Sequence, residues 1–336
     1  MKPTGLVRSD MFLRCLTTVL MAATCLVAST RLCAQVTEGQ PFVVVEPPVV
    51  VEPFNLDAWL SGQRHGGQHV VPWPAGCEVC PPTATGPWYW QMAPQGILYK
   101  SYLAGVREPR LSTVLFRNLG DRALWDNTLG ARVGLLRFGS AGGGWADGFQ
   151  IDAEGAALVR LDSNRELVST DFRGGIPLTY KQGRYSTKLA FYHLSSHLGD
   201  EFLLRTGEDR INYVRDVVVW GHSWQWTDWL RVYLEAGYAF NTEDGSQPWE
   251  FQFGAELSQI QPTGNRGAPF LAMDGHLREE VNYGGNFVAQ AGWQWRRQYL
   301  GPLLRVGVHY YNGKSAQFQF FDRFEHQLGV GAWYDF

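Results

Sequence analysis

The sequence predicts an all-β chain: a transmembrane antiparallel β-barrel of about 12 strands with an irregular N-terminal arm on the periplasmic side. Three observations carry that expectation. Of 336 residues, 45% are apolar and 14% aromatic, with 38 glycines and only 18% charged, a mixture suited to strands and turns. The mean hydropathy of -0.20 is what apolar and polar strand faces average to, and it excludes disorder as well as a bundle of apolar helices. The third observation is a succession of runs of about 10 to 13 residues that alternate apolar and polar side chains between turn residues.

The chain begins with Lys2, Arg8 and Arg14, then an apolar run from Cys15 to Ser29, then Leu32-Cys33-Ala34, the layout of a cleavable export signal over residues 1–34. Removing it takes away four basic side chains and one acidic one and moves the formal charge from -3 to -6. No net positive charge then remains to attract nucleic acid. Past Ala34 no stretch approaches the roughly 20 apolar residues of a spanning helix.

Residues 35–96 form the expected arm. A tandem VVVEP is kept out of a central strand by its prolines, and a Gly- and Pro-rich stretch follows, containing Trp88-Tyr89-Trp90. Cys77 and Cys80 are the thiols that survive cleavage. In an oxidising compartment they most simply close a small disulfide loop; the alternative is a zinc site in which His65 and His69 join them as H-x3-H-x7-C-x2-C. Haem attachment is excluded because Pro81 follows Cys80.

The barrel is expected over 97–336. In Leu230 to Asn241 the even positions are Leu, Val, Leu, Ala, Tyr, Phe, and the odd ones include Arg231, Glu235 and Asn241. Trp249 to Ser258 sets Trp, Phe, Phe, Ala, Leu against Glu250, Gln252, Gly254, Glu256 and Ser258. Phe287 to Arg296 and Phe324 to Phe336 divide in the same way. Bulky apolar residues on one face and Gly, Gln, Glu and Arg on the other fit lipid outside and a polar lumen inside. A soluble sandwich would turn Lys, Thr and Ser outward, and Lys is scarce.

Twelve strands are expected near 97–106, 130–138, 148–161, 166–180, 185–196, 211–224, 230–241, 248–259, 268–278, 286–296, 303–312 and 324–336. An even count puts both ends in the periplasm, with short turns there and longer outer loops such as 107–129, 197–210 and 313–323. The chain ends Trp333-Tyr334-Asp335-Phe336. This ending resembles the terminal strand by which outer-membrane barrels are recognised for insertion, which implies an outer-membrane location and lipid and the barrel-assembly machinery, reached through the Phe336 strand, as partners.

Chemistry has two expected places. The inward face carries Arg231, Glu235, Glu250, Glu256, Asp274, His276, Arg278, Arg305, His309 and Glu325, charges of both signs that can pair across a narrow lumen. That reading favours a structural polar core over a solute channel. The second place is Phe191-Tyr192-His193-Leu194-Ser195-Ser196-His197, where His193 and Ser195 share the lipid-facing parity of Leu189 and Phe191. Two residues apart on one strand face, imidazole can serve as base to the hydroxyl and reach a lipid ester in the bilayer.

This H-x-S spacing resembles the catalytic strand of the outer-membrane phospholipase A and lipid A deacylase families. The resemblance implies Ser195 as nucleophile, His193 as base and Asn212 or Asp216 as the group that orients it, Asn212 being preferred. The barrel itself requires no cofactor, whereas a phospholipase-like site would call for calcium. YHLSSHLGDEF followed by RINYVRD, with the signal segment and Phe-ended barrel, resembles the bacterial envelope proteins of domain of unknown function 1207, which implies an outer-membrane barrel without an established activity.

Overall fold

The computed structural model describes residues 87–118, 123–142 and 146–336. The expected signal segment, the VVVEP arm, His65, His69, Cys77 and Cys80 lie outside the described residues. Alternating runs become strands because a period of two can place apolar side chains outward and polar ones inward at once. The strands are β1 (Tyr89–Met92), β2 (Leu111–Asn118), β3 (Ala123–Gly139), β4 (Gly148–Leu161), β5 (Leu167–Gln182) and β6 (Tyr185–Leu198). A short helix α1 (Asp200–Thr206) precedes β7 (Val214–Gln225), β8 (Leu230–Glu243), β9 (Trp249–Ser258), β10 (Ala268–Arg278), β11 (Gly285–Arg296), β12 (Leu303–Lys314) and β13 (Phe324–Asp335).

From β2 to β13 each strand pairs antiparallel with the next, and β13 returns to β2 between Gln327↔Asn118 and Tyr334↔Leu111. The sheet is a closed barrel of 12 strands, so its backbone donors and acceptors are paired within the wall. Leu115, Leu189, Trp220, Phe240, Phe253 and Val330 are exposed on the outside, while Arg132, Asp152, Arg160, Glu250 and Arg305 are buried. Apolar residues outside and charges inside reverse the order of a water-soluble fold and suit a lipid-facing wall. Gly183, at φ 57, permits the two-residue connection from β5 to β6.

The strand expected at 97–106 is absent, and its place in the count is taken by β2, in a stretch expected to be an outer loop. β1 pairs with Leu136 to Gly139 on the same edge of β3 that β2 occupies from Ala123 to Leu129. Both run antiparallel to β3, so β1 and β2 are one strand direction interrupted by residues 93–110. Strand pairing accordingly reaches Tyr89, inside the segment assigned to the arm.

The interrupting segment fills the lumen. Its Tyr99, Tyr102 and Ala104 are fully buried. Outside a strand its backbone needs other partners, and the inner wall provides them. Arg231 donates to the carbonyls of Lys100 (2.6 Å) and Ser101 (2.9 Å), and Arg305 to that of Leu103 (3.0 Å). Arg137 donates to those of Gln95 and Gly96, and the Leu103 amide donates to Glu256 at 2.7 Å. The Tyr102 ring stacks on Tyr233 with centroids 3.8 Å apart. Gly254 makes room for that stack, since a Cβ there would lie 2.3 Å from the Tyr233 hydroxyl.

At the opposite end from the chain terminus, residues 315–323 fold inward. Phe318 is fully buried, stacks on Tyr213 at 4.5 Å and lies 4.1 Å beneath the Arg107 guanidinium. Its amide donates to Asp171, and Gln319 donates to the carbonyls of Ser196 and Ile211.

Candidate functional site

Within the lumen all ten charged residues expected on the inner face are buried. They are engaged by other polar side chains of the inner wall, by residues 93–110 and by residues 315–321. Lys188 pairs with Glu235 at 2.6 Å, Arg231 with Glu256 at 3.2 Å, Arg305 with Asp335 at 2.8 Å, and Arg160 with both Asp126 and Glu325. Asp274, His276 and Arg278 do not converge on a common point. Asp274 accepts from Tyr233 and Gln252, His276 meets Glu250 at 3.1 Å, and Arg278 donates to the carbonyls of Ser315 and Phe321. Cavities of about 60 Å³ and about 40 Å³ remain in this packing, each with room for only a few water molecules.

The lipid-facing surface holds a different arrangement near the outer ends of β6, β7 and β8. Register sets His193 opposite Asp216, and Asp216 opposite Asn241. His193 Nδ1 lies 2.7 Å from Asp216 Oδ1, and the Asn241 amide donates to Asp216 Oδ2 at 2.8 Å. The His193 and Asp216 side chains are partly exposed, at 28% and 19%. With Nδ1 directed at the carboxylate, Nε2 is the ring atom on the side away from Asp216. Ser195 lies two residues further along the same face of β6, paired with Phe172 and Val214 and nearly covered.

Asn212, the preferred orienting residue from sequence, stands elsewhere. It precedes β7, its amide donates to Glu243 and its backbone N–H to Asp244. Asp216 occupies the position beside His193, because the pairing of β6 with β7 begins at Ser195↔Val214. Asn241 was assigned to the lumen face by simple alternation. A register shift between Asp216 and Val217, with Phe240 as the extra residue on β8, brings it to the outer face instead. Ser196, the neighbour of Ser195, points inward and donates to Asp171. Among the described residues no three His, Cys, Asp or Glu side chains gather in a way that could hold a metal ion.

Comparison with solved structures returns other outer-membrane barrels. The outer membrane phospholipase A from Escherichia coli is 11% identical, with 68% of this chain and 95% of that one covered at a TM-score of 0.43. The KdgM porin is 14% identical over 67% of this chain and 98% of its own, with a TM-score of 0.40. A porin of Rhodopseudomonas blastica is 10% identical, covering 68% and 98%, at 0.31. These likenesses are distant, and the barrel assignment stands on the strand pairing itself. No curated protein matches the sequence. The chain belongs to the family described as Protein of unknown function (DUF1207), whose model matches residues 88–336.

Proposed function

We propose that this protein is a non-conducting outer-membrane barrel, a membrane-embedded scaffold whose lumen is a packed polar core. The single observation that carries the reading is the lumen segment 93–110, bonded to β3, β8, β9 and β12 by Arg137, Arg231, Glu256 and Arg305. Solute passage would require breaking several buried charge-assisted hydrogen bonds together. In a planar bilayer the wild-type protein is expected to show no current steps, whereas a chain lacking 97–106 conducts. Stepwise conductance in the wild type would overturn the proposal.

A second reading is favoured by the Asn241–Asp216–His193 chain beside Ser195: hydrolysis of a lipid ester on the outer surface. Ser195 Oγ would attack the ester carbonyl while His193 Nε2 takes its proton. The imidazolium, held by Asp216, would return that proton to the departing alcohol, and water would then release the fatty acid from Ser195. Carboxylates and imidazoles on a lipid-facing wall are costly to keep, which supports a use for them. In mixed micelles the protein would release fatty acid, and Ser195→Ala and His193→Ala would each abolish it. Absence of release from the wild type, or undiminished release from both variants, excludes this chemistry.

A further inference from the structure

The end of the barrel that carries the chain terminus holds the cavity of about 60 Å³, bounded by the lumen segment, the connections 183–184 and 297–302, and Phe336. Five cations border it: Lys100 from the lumen segment, Lys181 on β5, Arg184 in the turn after it, which also pairs with Asp228 at 3.0 Å, Arg231 on β8 and Arg296 on β11. The acidic residues on its lining are Glu256 and Asp335, with the chain end at Phe336 on the rim. Both are already engaged, Glu256 by Arg231 and the Leu103 amide, Asp335 by Arg110 at 3.0 Å and Arg305 at 2.8 Å. The Arg296 guanidinium donates to the carbonyls of Gln259 and Gly301 and forms no ion pair among the described residues. Lys100 Nζ is buried and has no hydrogen-bond partner among the described residues.

A buried amine without an acceptor, beside a guanidinium without a direct ion pair among the described residues, is unfavourable unless an acceptor completes the site, and an anion would supply one for both. We infer that this cavity binds a tetrahedral oxyanion of the phosphate class. The donors come from the lumen segment, from β5 with the turn that follows it, from β8 and from β11, so they border the space from separate parts of the wall. A carboxylate offers its acceptors in one plane, whereas phosphate accepts from several directions. The same chemistry is presented by inorganic phosphate and by the phosphate of a lipid headgroup entering at the barrel rim.

The test is calorimetric titration of the full chain, refolded in neutral detergent, with inorganic phosphate and separately with a short-chain phosphatidic acid, against sodium chloride at equal ionic strength. Saturable binding of phosphate identifies the free ion as the ligand, and binding of phosphatidic acid alone identifies the headgroup. Lys100→Met is expected to weaken binding about tenfold or more, the loss of one charged hydrogen bond. Arg184→Gln, nearer the rim, weakens it as well, and Arg210→Gln at the far end of the barrel leaves it unchanged. Folding of each variant is checked by its faster gel migration before boiling, and Arg184→Gln carries the test if Lys100→Met does not fold. No binding of either probe by the wild type, or wild-type affinity in the folded cavity variants, overturns the inference.

Discussion

Replacing Glu256 by Ala removes the acceptor that holds the lumen segment to β9. Its side chain is 4% exposed, receives the Leu103 amide at 2.7 Å and pairs with Arg231 at 3.2 Å. Deleting one partner of a buried ion pair costs about 3 to 5 kcal/mol, and an orphaned amide falls within the same loss. Arg231 keeps the carbonyls of Lys100 and Ser101 and the Ser223 hydroxyl, which places the expected value at the lower end, about 3 kcal/mol. Glu256→Gln retains an acceptor for Leu103 and loses only the charge, so about 1 to 2 kcal/mol is expected. Urea unfolding of vesicle-refolded protein, followed by tryptophan fluorescence, reads both as shifts in midpoint at constant slope. An Ala variant within about 0.5 kcal/mol of wild type, or a Gln variant as damaged as Ala, would show that this contact does not hold the segment in place.

Two further expectations concern the end with the longer loops. Phe318→Ala empties a fully buried position between Tyr213 and Arg107 and should cost about 3 to 5 kcal/mol in the same urea titration; a shift below about 1 kcal/mol would mean the inward fold of 315–323 is not packed as described. Asp162, in the connection from β4 to β5, is slightly desolvated, which raises its pKa, but hydrogen bonds from Arg205 and the amides of Glu166 and Asn164 outweigh this and hold its carboxyl below the usual range. A lowered folded-state pKa gives stability that is present above the ordinary carboxylate pKa and lost as pH falls through the lowered value. A spin label at Leu204→Cys on α1 should therefore become mobile only on strong acidification, and Asp162→Asn should mobilise it at neutral pH; equal mobility in both proteins at neutral pH would refute the link.

The barrel class was legible in the sequence, since runs such as Trp249 to Ser258 assign each side chain to its face by parity alone. The first strand was not. Val114 and Phe116 of β2 face inward and pack on Phe270 and Trp333, so their run lacks the polar face that marks a strand. Residues 97–106 are apolar on both parities because they are enclosed on all sides, and an enclosed irregular segment imitates a strand in sequence. At the surface site, the pairing of His193 with Asp216 depends on where β7 begins after the long connection 199–213, which alternation does not fix. Asn241 was hidden by a bulge, one extra residue that inverts parity without a sequence mark.

The lumen segment also acts as a gauge. Barrels change size by gaining or losing hairpins, and one added pair of strands widens the diameter by roughly 4 Å. Here a single stretch of chain bonds at once to β3, β8, β9 and β12, through contacts that tolerate only a few tenths of an ångström. Arg160 on β4 reaches Glu325 on β13 under the same restriction. A duplicated hairpin would pull these partners out of reach together, so the circumference can change only if the interior is rebuilt in the same step. Strand number in this chain is held from the inside.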